Sequence, residues 1–176
     1  MYTFPEQVIT VVLYTQEQFR DITRSPDWAA ALYDGRIRVP MRGALQRPEE
    51  LERVLAHEFT HALVRSIAPR GVPTWLNEGL AVLFEPEGRV WAQEQLAKTR
   101  KRLPSDTLAG SFAKLSGADA RVAYAQSAIA VDQLIELGGT AAVVGLLQDL
   151  AHGESFPSAF ERRLLMPFDT FLTGLR

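Results

Sequence analysis

Two histidines and a glutamate lie inside an apolar, helix-forming stretch at residues 51–67. The stretch follows Pro48-Glu49-Glu50, where a proline and two acidic residues suit the first turn of a helix. Its apolar positions recur with helical period: Leu51, Val54, Leu55, Phe59, Ala62, Leu63 and Ile67. The pattern predicts one long helix with a core-facing side, in which His57, Glu58 and His61 are costly to bury without a partner.

The spacing of the two histidines suggests what that partner is. Residues four apart on a helix share one face, about 6 Å apart along the axis, so His57 and His61 can point two imidazoles at one metal ion. A catalytic Zn²⁺ takes three protein ligands and keeps a fourth position open. Because the pattern is short, a chance match remains the alternative, with both histidines hydrogen-bonded in the core or at the surface.

A second apolar helix is predicted at residues 74–84, with Glu78 in its middle. A carboxylate in that position needs a charged partner. A zinc ion held by the first helix would supply one and would gain its third ligand, and Gly79 would let the two helices approach closely. The alternative is a salt bridge between Glu78 and a nearby arginine such as Arg65 or Arg70.

At this point the chain resembles a known family. His57-Glu58-x-x-His61 followed by Trp75-Leu76-Asn77-Glu78-Gly79-Leu80-Ala81 resembles the gluzincin metallopeptidases, which include thermolysin-like and aminopeptidase N-like enzymes. The small bacterial peptidase MA-like domains are the most similar group. The resemblance implies that His57, His61 and Glu78 bind one Zn²⁺ per chain and that Glu58 is the general base.

The N-terminal part predicts a small mixed sheet. Residues 8–14 are rich in β-branched side chains and predict an inner strand, and residues 16–23 predict a short helix. A further helical piece is expected at 28–32. After the Asp34-Gly35 turn, residues 36–40 alternate polar and apolar and predict an edge strand. The resemblance implies that this strand lies beside the cleft and pairs with substrate; an ordinary solvated edge is the alternative.

The segment that follows this strand bears on the type of peptidase. Aminopeptidase N-like enzymes carry a Gly-x-Met-x-Asn stretch here, with an acidic residue that holds the free amino group of the substrate. Met41-Arg42-Gly43-Ala44 contains no carboxylate. The resemblance therefore favours an endopeptidase over an aminopeptidase.

The rest of the chain predicts helices. They are expected at residues 90–99, from Asp119 to Leu137 with an end at Gly138-Gly139, and in three short pieces at 140–150, 156–165 and 167–175. Residues 103–117 form the least regular stretch, in which a loop over the cleft is one interpretation. The basic run at 98–102 is interpreted as a solvated helix end.

Tyr124 and His152 are two further residues whose side chains could act at or near the site. In the family resemblance, Tyr124 matches the place where a tyrosine hydroxyl reaches the cleft and donates to the developing oxyanion. The alternative is a core tyrosine whose hydroxyl is bonded locally. His152, beside a glycine that ends a helix, is expected to cap that helix and not to bind zinc.

Composition bounds the class of protein. With 176 residues and 47% hydrophobic content, the sequence predicts one compact α+β domain over residues 1–176, which a longer chain could also contain. The expected architecture is the small sheet, with an edge strand beside the cleft, followed by a mainly helical part that carries the zinc-binding helices. The net charge of −2 gives no reason to expect nucleic acid, and without cysteine neither disulfides nor thiolate metal sites can form.

The sequence does not indicate the cellular compartment of the domain. No apolar run approaches the ~20 residues that span a bilayer, and no signal peptide is visible. A soluble domain of the bacterial envelope and one of the cytoplasm fit equally, and the oligomeric state is not predicted.

The predicted reaction is zinc-dependent hydrolysis of peptide bonds in a peptide or protein substrate. In it, Glu58 takes the proton of a zinc-activated water and passes it to the leaving amine, while Tyr124 assists at the oxyanion. One alternative is a catalytically silent or latent peptidase-like domain that acts as a peptide-binding or protein-binding module. Another is a zinc-free interaction domain in which the histidines only pack.

Overall fold

The computed structural model describes residues 8–24, 31–41 and 47–174, which form a small sheet followed by helices, the predicted α+β class. The strands are β1 (Val11–Tyr14), β2 (Leu32–Tyr33) and β3 (Ile37–Pro40). The helices are α1 (Gln16–Thr23), α2 (Pro48–Ile67), α3 (Thr74–Leu83), α4 (Gly88–Ala97), α5 (Ser105–Ala109), α6 (Gly117–Ala151), α7 (Phe156–Leu164) and α8 (Phe168–Gly174).

The sheet corrects the predicted order of the strands. Its order is β1-β3-β2, with β3 parallel to β1 and antiparallel to β2. The segment at 36–40 therefore supplies the central strand and the segment at 8–14 an edge, opposite to the prediction. The alternation of polar and apolar residues indicates that one face of the strand is buried, and Ile37 and Val39 are buried. It does not indicate whether the strand pairs along one backbone edge or along both. The edge strand beside the cleft is β2, whose two residues line it.

Two predicted segments lie partly outside the described residues. Of the expected helical piece at 28–32, residues 28–30 are not described, and Leu32 belongs to β2. Residues 42–44 of the segment that lacks a carboxylate are also not described.

Helix α2 joins the sheet to the helical part of the protein. Its buried row runs through Val54, Glu58 and Ala62, and Val54 packs against Ile37 and Val39 of β3. Phe59, predicted on the core-facing side, is 40% exposed. Because it follows Glu58 by one position, it is rotated by about 100° away from the buried row.

Helix α6 is the centre of the helical core, and α3, α4 and α7 pack against it. It is kinked at Gly139, whose φ of 73° is left-handed, so the predicted break at this position is confirmed. Its N-cap is Ser116, whose hydroxyl accepts a hydrogen bond from the backbone N–H of Asp119; Asp119 itself was the predicted start. Length and composition alone would let α6 cross a membrane, but its fully buried residues, such as Val131, form part of the protein core.

The last two helices close this core through aromatic contacts. Trp75 of α3 stacks on Phe168 with ring centroids 5.8 Å apart and meets Phe156 edge-on at the same distance. The stretch at 103–117, predicted to be irregular, contains α5 and one turn of 3₁₀ helix at Phe112–Lys114. The aromatic contacts of Trp75 hold the start of α3 against α7 and α8.

Candidate metal centre

The predicted histidines and the glutamate of the second helix meet at one point. The Nε2 atoms of His57 and His61 each lie 3.5 Å from Oε2 of Glu78. The two imidazole rings are nearly perpendicular, with centroids 4.8 Å apart. Helix α2 thus aligns the histidines by their spacing, and α3 brings Glu78 to them.

The position of α3 depends on Gly79, the residue after Glu78. A Cβ at Gly79 would lie 2.4 Å from the backbone oxygen of Ser127 on α6. The prediction that Gly79 lets α2 and α3 approach closely is therefore wrong, because the atoms nearest to this position belong to α6. This packing fixes how far Glu78 reaches toward the histidines.

The geometry fits a tetrahedral metal ion. One ligand atom from each of His57, His61 and Glu78 can be chosen so that all three lie within 4.8 Å of one another. Two ligands at about 2.0–2.1 Å from a tetrahedral zinc are about 3.4 Å apart, close to the distances from Glu78 to both imidazoles. Buried Oε2 of Glu78 has no hydrogen-bond partner among the described residues. A cation between the three side chains would satisfy it.

The electrostatics of the three side chains also suit a cation. Burial disfavours the charged form of His57, but Glu78 and Glu85 outweigh this effect and raise its pKa to about 10. Burial likewise disfavours the carboxylate of Glu78, but His57 and His61 outweigh it and lower its pKa to about 2. Without metal, positive charge at this point is therefore carried by a proton on the imidazole, which a metal ion would replace.

Glu85 orients His57 from the opposite side of the ring. Nδ1 of His57 donates to Oε1 of Glu85 over 2.6 Å, and Arg53 donates to Oε2 over 2.9 Å. Because Nδ1 donates to Glu85, Nε2 is the nitrogen that would exchange its proton for a metal ion, as in carboxylate–histidine–metal arrangements. Arg53 precedes His57 by four residues, so both reach Glu85 from one face of α2.

In the sequence, Glu85, Arg121 and Asp132 are all nearby polar residues that could orient a histidine, and the sequence does not distinguish between them. Asp132 instead pairs with Arg89, and Arg121 lies in the wall of the cleft. Glu85 follows Glu78 by seven residues and lies in the turn just after α3, so the only sequence signal is an acidic residue close to the end of the helix that carries Glu78.

Glu58 lies beside the group of His57, His61 and Glu78, which could hold a metal ion, without belonging to it. It is buried, and its Oε2 has no hydrogen-bond partner among the described residues. Burial raises its pKa, while the neighbouring His57 and His61 act in the opposite direction. A buried carboxylate with a free oxygen in a cleft can accept a proton from a water molecule placed there.

Tyr124 of α6 lies across the cleft from α2. Its ring centroid is 6.1 Å from that of His57 and 5.2 Å from that of Phe112, which packs against it edge-on. Burial, and after it the charge of Glu78, raises the pKa of Tyr124, so the hydroxyl stays protonated. Within the described residues that hydroxyl has no hydrogen-bond partner, and Tyr124 lines the cleft.

The cleft itself has a volume of about 810 Å³. Its walls are formed by α2, α3, the loop at 68–73, strand β2, residues 111–113 and the start of α6. Part of the stretch at 103–117 thus lies along the cleft. His57, Glu58, His61, Glu78 and Tyr124 all line it.

The structure also shows which groups surround Glu78 and where His152 lies. The charged groups within ion-pair distance of Glu78 in the described chain are His57 and His61, not Arg65 or Arg70. His152 is the C-cap of α6, as predicted, and is not among the residues that line the cleft.

The Peptidase MA superfamily matches the chain over residues 42–173, a range that includes all five predicted site residues. The chain belongs to the Peptidase MA superfamily. No curated protein and no solved structure matches it. Membership in the Peptidase MA superfamily supports a metallopeptidase-like domain, because members are typically metal-dependent. The superfamily match also includes Glu85 and Arg53, so the hydrogen bonds that orient His57 lie inside the shared region.

Proposed function

We propose that this chain is a zinc-dependent metallopeptidase of the gluzincin type, with residues 1–176 as one catalytic domain. The observation that carries the proposal is the group of His57, His61 and Glu78, whose ligand atoms lie within 4.8 Å of one another in the wall of a cleft of about 810 Å³. A buried glutamate outside this group, Glu58, provides a general base, which a purely structural site does not need.

His57, His61 and Glu78 would hold the metal. Two imidazole nitrogens and one carboxylate oxygen are the donor set of catalytic zinc sites in metallopeptidases and leave a fourth position open. Zinc, when bound there, lowers the pKa of water toward neutrality and polarises the carbonyl group of a substrate. Glu85 and Arg53 keep the imidazole of His57 in the orientation that this binding requires.

Glu58 and Tyr124 would do the remaining chemistry. Glu58 accepts the proton of the attacking water and then donates it to the amine that leaves, with its buried position excluding competing hydrogen bonds. The Tyr124 hydroxyl, which has no partner in the described chain, donates a hydrogen bond to the oxygen on which negative charge develops. Phe112 holds the tyrosine ring from its other side.

The substrate would be a peptide or protein cleaved at an internal bond. Along α2 the cleft runs from Arg53 to Arg65, a length of about 18 Å at 1.5 Å per residue. An extended chain rises about 3.3 Å per residue, so about five residues of substrate fit beside the helix. The absence of a carboxylate from residues 41–44 supports an endopeptidase rather than an aminopeptidase.

The test compares the parent chain with Glu58→Gln in digestion of a broad peptide library, after both are loaded with zinc. We expect cleavage by the parent, loss of cleavage on chelation, and at least a ~100-fold lower rate for Glu58→Gln at unchanged zinc content. Glu87→Gln is the control, because it removes the same charge at an exposed position outside the cleft. It should cleave normally.

Two results would contradict the proposal in different ways. If Glu58→Gln cleaves as fast as the parent, Glu58 is not the general base. If the parent binds zinc and peptides but cleaves no member of the library, the domain is a peptide-binding module of the Peptidase MA superfamily.

A further inference from the structure

Three arginines of the cleft have no partner in the part of the chain that the structure describes. Arg65, Arg70 and Arg121 line the cleft and are exposed, and their side chains form no ion pair or hydrogen bond with any residue in the described part of the chain. The fourth arginine of the cleft, Arg53, is paired with Glu85. Three guanidinium groups are therefore available to a ligand.

These arginines lie close to the site along the helices that form it. Arg65 follows His61 by four residues on α2, and Arg121 precedes Tyr124 by three residues on α6. Each is thus one helical turn from a site residue, on the same side of its helix. Arg70 belongs to the loop at 68–73, which continues the cleft beyond the end of α2. Positively charged side chains therefore lie on both α2 and α6, which face each other across the cleft.

The acidic residues of the cleft do not neutralise this charge. They are Glu58, Glu78 and Glu85, all of them in or beside the metal-ligating group. The whole chain has a net charge of −2, so the three arginines that line the cleft do not simply reflect a basic protein. Guanidinium groups bind carboxylates through paired, charge-assisted hydrogen bonds.

We propose that the cleft selects acidic peptides, and that Arg65, Arg70 and Arg121 bind carboxylate side chains of substrate residues near the scissile bond. This inference rests on the proposed peptidase function, because the acidic peptides would be its substrates. Selective binding can nevertheless be measured without turnover. A free C-terminal carboxylate has the same chemistry, and the test separates the two sources.

The test measures binding of three fluorescent peptides of equal length to the zinc-loaded Glu58→Gln variant by anisotropy. The first carries glutamates and has both ends blocked, the second carries glutamines in their place, and the third is the glutamine peptide with a free C-terminus. We expect the glutamate peptide to bind about tenfold more tightly than both glutamine peptides, with the difference shrinking as salt is raised.

Substitutions connect this preference to the cleft. On the same background, Arg65→Gln combined with Arg121→Gln should bring the glutamate peptide close to the affinity of the glutamine peptide. Arg100→Gln, an equal change of charge at an exposed position outside the cleft, should leave the preference intact. Circular dichroism and zinc content confirm that each variant is folded.

The outcomes separate this inference from the proposed function. Equal affinity for the blocked glutamate and glutamine peptides overturns the acidic preference, and so does a preference that survives in the double variant. Tight binding of only the peptide with a free C-terminus replaces side-chain recognition by recognition of a chain end and overturns the inference as stated. Selective binding by the Glu58→Gln variant, together with a parent chain that cleaves no member of the broad peptide library, supports the selectivity of the cleft and overturns the peptidase function.

Discussion

Replacing Gly79 by alanine should disturb both the core and the metal centre. A Cβ at Gly79 would lie 2.4 Å from the backbone oxygen of Ser127 and 2.7 Å from Cγ2 of Val131, whereas ordinary contact begins at 3.4 Å. Helices α3 and α6 would have to separate by about 1 Å to relieve the clash. The backbone oxygen cannot rotate away as a flexible side chain could.

The size of the effect follows from two opposing terms. Overpacking a core costs about 1–3 kcal/mol and occasionally more, while alanine is favoured over glycine inside a helix by about 1 kcal/mol. Since the clash is with backbone, we expect a net loss of about 2 kcal/mol, or a melting temperature lower by about 4–8 °C for a chain of this size. Metal–ligand distances in zinc sites lie within about 0.2 Å of their usual values. A shift of Glu78 with α3 should therefore weaken zinc binding at least about tenfold.

The assay combines thermal unfolding of the metal-free proteins with zinc affinity from competition against a chelator. Gly117→Ala is the matched control, because Gly117 is the first residue of α6 and a Cβ there meets nothing within 4 Å. We expect the control to be as stable as the parent or slightly more so. A Gly79→Ala protein with parental stability and parental zinc affinity would refute the reasoning.

Two further predictions concern Glu85 and Asp149. Glu85→Gln should lower zinc affinity by about 10–100-fold in the same competition assay, because the charged partner of His57 is lost; an unchanged affinity, equal to that of Glu87→Gln, would contradict this. The carboxylate of Asp149 accepts two hydrogen bonds from Arg163, and the arginines hold its pKa at about 2, below the unfolded value of about 3.9. Its stabilising effect should therefore be complete above about pH 4 and be lost as pH falls toward 2. Urea unfolding of the parent and Asp149→Asn should show a constant difference at neutral pH that narrows in acid, and a pH-independent difference would contradict the assignment.

Local signals in the sequence predicted the helices and the meeting of the two histidines. The spacing of His57 and His61 is a property of any helix, and the apolar period of residues 51–67 needs no knowledge of the rest of the fold. Gly139 breaks α6 where the pair of glycines indicated. These features depend on neighbours within a few residues, so the sequence displays them directly.

Features that depend on distant segments were not predictable in this way. The central place of β3 depends on which strands pair with it, and polar–apolar alternation is the same in both positions. The close contact of Gly79 with α6, and the hydrogen bond from His57 to Glu85, depend on how helices pack across the core. Whether Arg65 pairs with a carboxylate of the described chain likewise depends on where distant segments place their acidic residues.

Metal content is the most direct test of the central claim, that His57, His61 and Glu78 form one zinc site. Elemental analysis of the purified parent after exposure to zinc should give about one zinc per chain, and His61→Ala and Glu78→Ala should lose it. His152→Ala, which changes the exposed histidine that caps α6, should retain the metal. A parent chain that stays metal-free after incubation with zinc, or ligand variants that keep it, would contradict the account.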